Sequence, residues 1–491
     1  MSKKVFYTIL SLQLAAILAI LGVWFISKRA CVSTSSSNVA NFANYSSTIE
    51  AGLVGSSILG SATNDSISIN TLAEKGMTVY VEYGTKSGAL SQKTGTRTSQ
   101  SGEPIVTEIT GLSANTKYYY RVSYKQTADT AYTVGSEHSF VTKRASGSTF
   151  SFGVQGDSHP ERANQMFSAA LYAQTMKNAY GLSPDLYFAL GDDFSIEKLI
   201  DSGQKNQSAI DQVYLYQRKF LDIIGSTASI NLVNGNHEQA AKYLLDGTAN
   251  NFAVMAAKAR NNFYPLPEPT GFFSGDTIKV DNIGYLKDYY AYTWGDALFV
   301  TIDPYWHSDS AVDNAAYSDS KGQRDLWNNT LGDEQYQWFK KTLETSRAKY
   351  KFVFTHHVLG TGRGGIEEAK SYEWGGYNSK GVWEFDKKRP GWELPIHQLM
   401  AKNSVTIFFQ GHDHLYAKQE LDGVIYQEVP NPADDSYTAF NKDAYKSGTV
   451  LPNSGFLNVT VSTNSVKVDY IGSSTTGDDN GKVVSSYTVS K

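Results

Sequence analysis

The chain has 491 residues, of which 41% are hydrophobic and 19% charged, a composition typical of a globular protein with ample apolar material for a core. The net charge of −4 gives no support for a nucleic acid as the main partner. The single cysteine, Cys31, excludes an internal disulfide framework and a cysteine-rich zinc site. The length predicts about two to four domains.

The first predicted element is an apolar run near the N-terminus. Val5 to Ile26 carries no charge and follows two lysines. A signal peptide has an apolar run of about 7–15 residues and a spanning helix needs about 20, so the run favours an uncleaved signal-anchor. We expect residues 1–31 to be a signal peptide or signal-anchor, 32–56 to be a linker, and the protein to be exported, either membrane-anchored or secreted or periplasmic. A buried helix of a soluble domain is the alternative.

Short strands and turns follow, from residue 57 to residue 145. Thr78 to Tyr83 is β-branched and aromatic and ends at a glycine, and Tyr118 to Tyr124 is a second run of high strand propensity. No helical period lies between such runs. This pattern predicts a small all-β sandwich.

Within this region, Gly111 to Tyr120 resembles a fibronectin type III domain. Leu112, Thr116 and Tyr118 have the spacing of that fold's tyrosine corner. The resemblance covers about ninety residues and implies a fibronectin type III-like sandwich ahead of the next domain.

From residue 148 the pattern changes to apolar strands that alternate with helices. The predicted strands are Thr149–Gln155, Asp185–Leu190, Ile230–Val233, Ala297–Ile302, Lys351–Thr355 and Val405–Phe409. The predicted helices are Glu161–Tyr180, Asp211–Ile224 and Asp333–Arg347. This alternation predicts a layered α/β domain over 148–425, with 250–288 as a long irregular insertion and 426–491 as strands that complete the domain.

Most of the predicted strands in this domain end in a side chain that can bind a metal ion. The blocks are Asp157-Ser158-His159, Gly191-Asp192, Gly235-Asn236-His237, His356-His357 and Gly411-His412-Asp413-His414. Ligands in open α/β sheets gather at the carboxyl ends of strands, and glycine permits the tight turns that follow them. Each block alone is compatible with a surface turn. All of them together, in this order and at strand ends, predict one metal site.

The ordered blocks resemble the signature of the calcineurin-like metallophosphoesterase family over roughly residues 150–417. The resemblance implies two divalent or trivalent transition-metal ions, and mixed nitrogen and oxygen ligands suit Fe, Mn, Zn or Co. It implies that one ion is bound by Asp157, His159, Asp192 and His414. It implies that the second is bound by Asp192, Asn236, His356 and His412, so that Asp192 bridges. His237 is then expected to face the phosphate and donate a proton.

The pairing of a fibronectin-like domain with these motifs is similar to the arrangement in purple acid phosphatases. Those enzymes carry a tyrosine ligand three positions after the bridging aspartate, where this chain has Ser195. They also lack the histidine of the first block, which is His159 here. We therefore expect a relative of these enzymes with a different first metal site.

Weaker expectations concern residues beside the blocks. Arg363, in a glycine-rich loop, is expected to bind a substrate phosphate, because a guanidinium fork matches phosphate oxygens; a surface arginine is the alternative. His357 is expected either to face the substrate or to pack. Asp193, Glu238 and Asp413 are predicted to orient ligand histidines or to be solvated turn carboxylates.

The leading hypothesis is metal-dependent hydrolysis of phosphate esters, with phosphomonoesters favoured. A phosphodiesterase or nucleotide hydrolase on the same site is the first alternative, since one core hosts several substrates. A surface binding or adhesion protein with a degenerate site is an alternative of another class, although the complete ligand set argues against it. We expect a small phosphorylated substrate, membrane contact through the N-terminal segment if it is uncleaved, and no nucleic-acid partner.

Overall fold

The computed structural model of the chain describes residues 52–73, 75–312, 325–359, 362–477 and 479–491, all within one compact unit. The predicted signal-anchor lies outside these residues, and export stays a prediction that cell fractionation would test. Across the described ranges, no helix combines the length and the apolar character that a membrane span requires.

The secondary structure of the described residues follows the predicted change from strands alone to strands with helices. The strands are β1 Ile58–Gly60, β2 Ser66–Thr71, β3 Met77–Gly84, β4 Gln92–Lys93, β5 Arg97–Ser99, β6 Ile105–Thr110, β7 Lys117–Gln126, β8 Thr133–Val134, β9 His138–Val141, β10 Phe150–Gln155, β11 Leu186–Ala189, β12 Ser229–Leu232, β13 Ser274–Gly275, β14 Lys279–Val280, β15 Gly284–Tyr285, β16 Tyr290–Trp294, β17 Ala297–Thr301, β18 Tyr350–Phe354, β19 Ile407–Gln410, β20 Tyr416–Leu421, β21 Val424–Glu428, β22 Thr449–Leu451, β23 Gly455–Val461, β24 Ser465–Gly472 and β25 Val483–Ser490. The α-helices are α1 Ala169–Leu182, α2 Glu197–Asp201, α3 Gln207–Gly225, α4 Phe252–Phe263, α5 Gly332–Thr345, α6 Tyr372–Gly375, α7 Phe385–Lys388 and α8 Ile396–Lys402.

The N-terminal region consists of two antiparallel sheets, as the sequence predicts. One has the order β1-β2-β6, and the other has the order β4-β3-β7-β8 with β5 and β9 paired to β3 and β7. The hydroxyl group of Tyr118 accepts a hydrogen bond from the backbone N–H of Ser113 at 2.9 Å, which is the contact expected of a tyrosine corner. The all-β region is therefore present, and its fibronectin type III identity stays a prediction.

The rest of the chain forms the predicted layered α/β structure. One mixed sheet has the order β12-β11-β10-β23-β24-β25; β10, β11 and β12 are parallel, and the C-terminal strands continue from β10 in antiparallel pairs. The second sheet has the order β13-β16-β17-β18-β19-β21-β20-β22, in which β17, β18, β19 and β21 are parallel. Helices α5 and α8 pack on the outer face of this second sheet.

The two sheets pack face to face through buried phenylalanines. The rings of Phe188 and Phe354 stack with centroids 4.2 Å apart, and Phe152 meets Phe299 edge to face at 5.1 Å. Burying one such side chain contributes about 1.5–3 kcal/mol. This core fixes the carboxyl ends of β10, β11, β12, β18 and β19, where the predicted ligands begin.

Two local expectations are wrong. The helix predicted from Glu161 begins only at Ala169, because Pro160–Arg162 forms a 3-10 turn and Asn164 has a φ of +64°. The insertion predicted to be irregular over 250–288 contains helix α4. The Asn251 side chain caps this helix by accepting from the N–H of Ala253 at 2.8 Å. Because the N-terminal sheets and the α/β region share one compact unit, the predicted domain boundaries stay predictions.

Arg218 lies fully buried on α3, where the N-terminal sheets contact the α/β region. Its guanidinium donates to the carbonyl of Phe263 at 2.6 Å and to the carbonyl of Asn70 at 2.8 Å. Burial lowers its pKa to about 10, which leaves the side chain charged at neutral pH. Arg218 therefore links residues that are far apart in the chain.

We expect Arg218→Met to destabilise the protein. A hydrogen bond from a charged donor contributes about 1.5–3 kcal/mol, and the variant leaves two carbonyl acceptors without this donor. The free energy of unfolding should fall by about 2–5 kcal/mol, seen as a lower thermal midpoint in scanning calorimetry. Lys258→Met, at an exposed position of α4, is the control. Equal thermal midpoints for the two variants would show that the Arg218 hydrogen bonds do not stabilise the protein.

Candidate metal centre

The predicted ligand blocks lie at one edge of the sandwich, on turns with unusual backbone geometry. His159, Asp192, His412 and His414 have φ values of +48°, +56°, +77° and +60°. Left-handed backbone is uncommon for residues other than glycine and concentrates at functional sites. A Cβ on Gly411 would lie 2.5 Å from Asp157 Oδ1, so only glycine permits this close approach.

The structure brings all the predicted metal ligands into one buried cluster. Its members are Asp157, His159, Asp192, Asn236, His356, His412 and His414. Three imidazole Nε2 atoms surround Asp157 Oδ2, those of His414 at 3.1 Å, His159 at 3.6 Å and His356 at 3.8 Å. No hydrogen-bond donor reaches this buried oxygen from the described residues.

Asp192 lies between the two halves of the cluster. Its Oδ2 is 3.1 Å from His356 Nε2 and 3.6 Å from His159 Nε2. In one half, His159 Nε2 is 3.1 Å from His414 Nε2; in the other, His356 Nε2 is 3.3 Å from His412 Nδ1. One carboxylate oxygen thus faces both groups of imidazoles.

The hydrogen bonds behind the imidazoles show that these residues fit metal ions. His356 Nδ1 lies 2.9 Å from the Leu190 carbonyl, so this nitrogen carries a proton, and Nε2 faces Asn236 Oδ1, 3.1 Å away. His159 Nδ1 lies 2.8 Å from Glu161 Oε1, which directs its Nε2 into the cluster in the same way. A ring nitrogen that faces an oxygen acceptor at this distance carries either a proton or a metal ion, and such outer carboxylates and carbonyls are typical of metal-binding histidines.

The electrostatics of the cluster also favour a cation. Burial by itself would lower the pKa of His356, but the Asp192 and Asp157 carboxylates outweigh it and raise this pKa to about 10. Burial would likewise raise the pKa of Asp157, but His356 and His414 hold it well below its usual range. Burial lowers the pKa of His414 to about 4, so this imidazole is neutral and available as a ligand at neutral pH.

Two further carboxylates, Glu238 and Asp193, are buried rather than solvated, and they accept hydrogen bonds from groups other than the ligand histidines. Glu238 accepts from the backbone N–H groups of Gly235 and Asp192 at 2.7 and 2.9 Å, and it accepts two more from the residues after Asp192. Asp193 instead accepts from Ser158 Oγ at 2.5 Å. Their role is to hold the two ligand turns together, because buried backbone donors need acceptors.

His237 lies at the opening of the cluster and does not belong to either imidazole pair. Its Nδ1 is 2.5 Å from Glu197 Oε1, and its Nε2 is 3.8 Å from Asp192 Oδ2 and 3.1 Å from Arg162 Nη2. Burial would lower the pKa of His237, but Asp192 and Glu197 raise it overall. The side chain is therefore held with Nε2 facing the space beside the candidate ligands.

The two weaker candidates, Arg363 and His357, lie next to His412. Arg363 donates to the His412 carbonyl and lies 3.1 Å from Asp413 Oδ1. His357 is buried, with Nδ1 2.5 Å from the Tyr305 hydroxyl group and its ring stacked on His412 at 4.5 Å. Burial lowers the pKa of His357 to about 3, so its imidazole is neutral.

Sequence reasoning missed Glu161, Glu197 and Arg162 as parts of this site. Glu161 and Arg162 directly follow the first block, and Glu197 is five positions after Asp192. Their closeness to the motifs was the available signal. Only the turn at Pro160–Arg162 and the short helix α2 bring their side chains to His159 and His237.

A separate cluster contains Asp276, Asp288 and His307. His307 Nε2 lies 3.0 Å from Asp288 Oδ2. Burial would lower the pKa of His307, but the Asp288 carboxylate raises it. The contact between His307 and Asp288 joins two of the three side chains in this group.

Comparison with known proteins agrees with the fold and the cluster. The family model for the calcineurin-like phosphoesterase matches residues 150–416, which is more than half of the chain. The chain therefore belongs to the calcineurin-like phosphoesterase family and is a phosphoesterase hydrolase. Among curated protein sequences, none matches this chain.

Solved structures extend the likeness to most of the chain. The structure of PhoD is 15% identical with a TM-score of 0.60, and the match covers 91% of this chain and 90% of that chain. At this identity the likeness shows the fold alone. GAP50, described as the anchor in the inner membrane complex of Plasmodium, is 12% identical with a TM-score of 0.37, covering 70% of this chain and 89% of that chain. Phosphopantetheinyl hydrolase from Mycobacterium tuberculosis is 14% identical with a TM-score of 0.28, covering 58% and 91%.

Proposed function

We propose that this protein hydrolyses small phosphomonoesters at a centre of two transition-metal ions, drawn from Fe, Mn, Zn or Co. The observation that carries the proposal is the buried carboxylate Asp192, whose Oδ2 faces His356 and His159 in the two halves of the cluster. Asp157, His159 and His414 would complete one site with Asp192. Asn236, His356 and His412 would complete the other.

Other side chains are proposed to position the metal ligands, bind the substrate or transfer a proton. Two bound ions supply a nucleophile at neutral pH and neutralise charge on the phosphoryl group. His237, whose Nδ1 is fixed by Glu197, would protonate the leaving oxygen through Nε2, which requires release of the contact that Arg162 Nη2 makes with Nε2. Glu238 keeps the turns that carry Asp192 and Asn236 at a fixed distance. Arg363 and His357 stay weaker candidates for contacts to the substrate.

A surface binding protein with a degenerate site is disfavoured, because every candidate ligand is present and buried and the outer hydrogen bonds are in place. A phosphodiesterase or nucleotide hydrolase uses the same cluster and remains the main competitor. Similarity of fold does not distinguish among these substrates, since enzymes that act on each of them share one fold.

The test combines metal analysis with a substrate panel. The protein is reconstituted with Mn, Zn, Fe or Co, and metal is counted by elemental analysis. Each form is then assayed on phosphomonoesters, phosphodiesters and nucleotides. We expect two metal equivalents and the highest kcat/KM on a monoester. A reproducible value of one or zero metal equivalents would refute the dinuclear centre. A preference for diesters would support the phosphodiesterase alternative instead.

A further inference from the structure

Arg162 is a cation at the site that the mechanism above leaves without a role. It ends the 3-10 turn that follows His159, and its backbone N–H donates to the His159 carbonyl at 2.9 Å. Its Nη2 lies 3.1 Å from His237 Nε2, the atom assigned to proton transfer. The side chain is 27% exposed, so solvent and a substrate can reach it.

Besides the contact with His237, the Arg162 guanidinium makes two longer contacts. Nη1 lies 3.3 Å from the Met166 sulfur, and Nε is 3.5 Å from Glu161 Oε1. That carboxylate oxygen makes its shorter contact with His159, at 2.8 Å. A guanidinium has five donors and binds anions best as a fork. Arg162 therefore retains donors for an anion beside His237.

Arg363 is already engaged with strong acceptors. Its Nη1 contacts the His412 carbonyl and the Asp413 carboxylate. Asp413 is buried, and the Arg363 contact is one of those that offset its burial. Turning Arg363 toward a substrate would weaken this contact, and such a change carries a cost.

We infer that Arg162 recognises the terminal oxygens of the substrate phosphate and thereby favours monoesters over diesters. This rests on the proposed function. A monoester carries three terminal phosphoryl oxygens and up to two negative charges, whereas a diester carries two such oxygens and one charge. With two oxygens facing the ligand cluster, only the monoester has a third for the guanidinium beside His237.

The test uses two substrates with the same leaving group, p-nitrophenyl phosphate and bis(p-nitrophenyl) phosphate, so that protonation by His237 affects both alike. For the metal-loaded full chain, Arg162→Gln should lower kcat/KM for the monoester by about 10- to 100-fold and change the diester little. Calorimetric titration with inorganic phosphate should show a Kd weakened by a similar factor. Arg162→Lys should lie between wild type and Arg162→Gln.

The control is Lys198→Gln, which removes a nearby charge from a side chain that donates to the Glu161 carbonyl at 3.3 Å. It should keep the wild-type phosphate Kd and substrate ratio. Unchanged phosphate affinity in both Arg162 variants, or an equal loss on both substrates, would overturn the inference. So would a loss of monoester preference in Arg363→Gln alone. If the wild type turns over neither substrate, the proposed function fails, and the phosphate titration still decides whether Arg162 binds the anion.

Discussion

Replacing Asp192 by asparagine is expected to remove bound metal and lower turnover by more than about 10³-fold, beyond the 10–100-fold loss typical of outer hydrogen-bond partners. The carboxylate Oδ2 faces His356 and His159, and burial would raise the pKa of Asp192 if His356 did not hold it well below its usual range. An amide has no charge to offer two cations. The amide does keep an oxygen that can accept a hydrogen bond from the backbone N–H of His237, as Asp192 Oδ1 does at 2.8 Å.

The matched control is Asp193→Asn, one residue further along the same turn. Burial raises the pKa of Asp193 well above its usual range, so an uncharged amide is a closer substitute for Asp193 than for Asp192. Its Oδ1 accepts from Gln155 and Gln217 at 3.1 and 3.0 Å, and an amide oxygen can do the same. Elemental analysis should give two metal equivalents for Asp193→Asn and far fewer for Asp192→Asn. Retention of both ions by Asp192→Asn would reject the bridging assignment.

His237→Ala is expected to keep both metals and to lose activity by about 10²–10⁴-fold, the usual contribution of general acid catalysis. Glu197 Oε1, 2.5 Å from Nδ1, fixes the ring so that Nε2 faces the reacting group. The carboxylates of Asp192 and Glu197 raise the pKa of His237 against the effect of burial, which keeps its acid form available near neutral pH. The loss should be smaller for substrates with acidic leaving groups such as nitrophenol, which need less protonation.

Steady-state kinetics over a series of leaving groups, together with metal analysis, checks this expectation. Asn236→Ala is the comparison, because its side-chain oxygen faces His356 in the cluster. It should bind one metal more weakly and lose activity by the same factor for all substrates. If His237→Ala instead released a metal and its residual activity did not depend on the leaving group, His237 would be a ligand and the proton-donor assignment would be wrong.

The ligand cluster was predictable because local rules govern it. The apolar strands β10, β11, β12, β18 and β19 could be read from hydrophobic runs. Each run is followed by a histidine, aspartate or asparagine, which lies beside a glycine after every one of these strands except β18. Carboxyl ends of parallel strands meet at one edge of a layered fold. Strand ends and glycine turns are properties of short segments, so they are visible in the sequence.

Helix limits and the roles of the surrounding carboxylates were not predictable in this way. The stretch from Glu161 has a helical period, but His159 and Asn164 adopt left-handed backbone and delay the helix to Ala169. Glu238 was expected either to orient a histidine or to face water, and it is instead the acceptor for two turns that come from separate strands. The contact between Glu238 and the Asp192 N–H joins residues 46 positions apart.

The sequence by itself determined the fold class, the family and the identity of the candidate ligands. Only the tertiary structure decided which charged groups serve them: Glu161 behind His159, Glu197 behind His237, and Arg162 at the opening. The physical reason is that strand and turn chemistry is local, whereas the pairing of a side chain with a distant partner depends on how whole layers pack. The neighbours of a buried group then set the direction of its pKa shift: imidazoles hold the pKa of Asp157 well below its usual range, whereas burial and the Glu238 carboxylate raise that of Asp193 well above it.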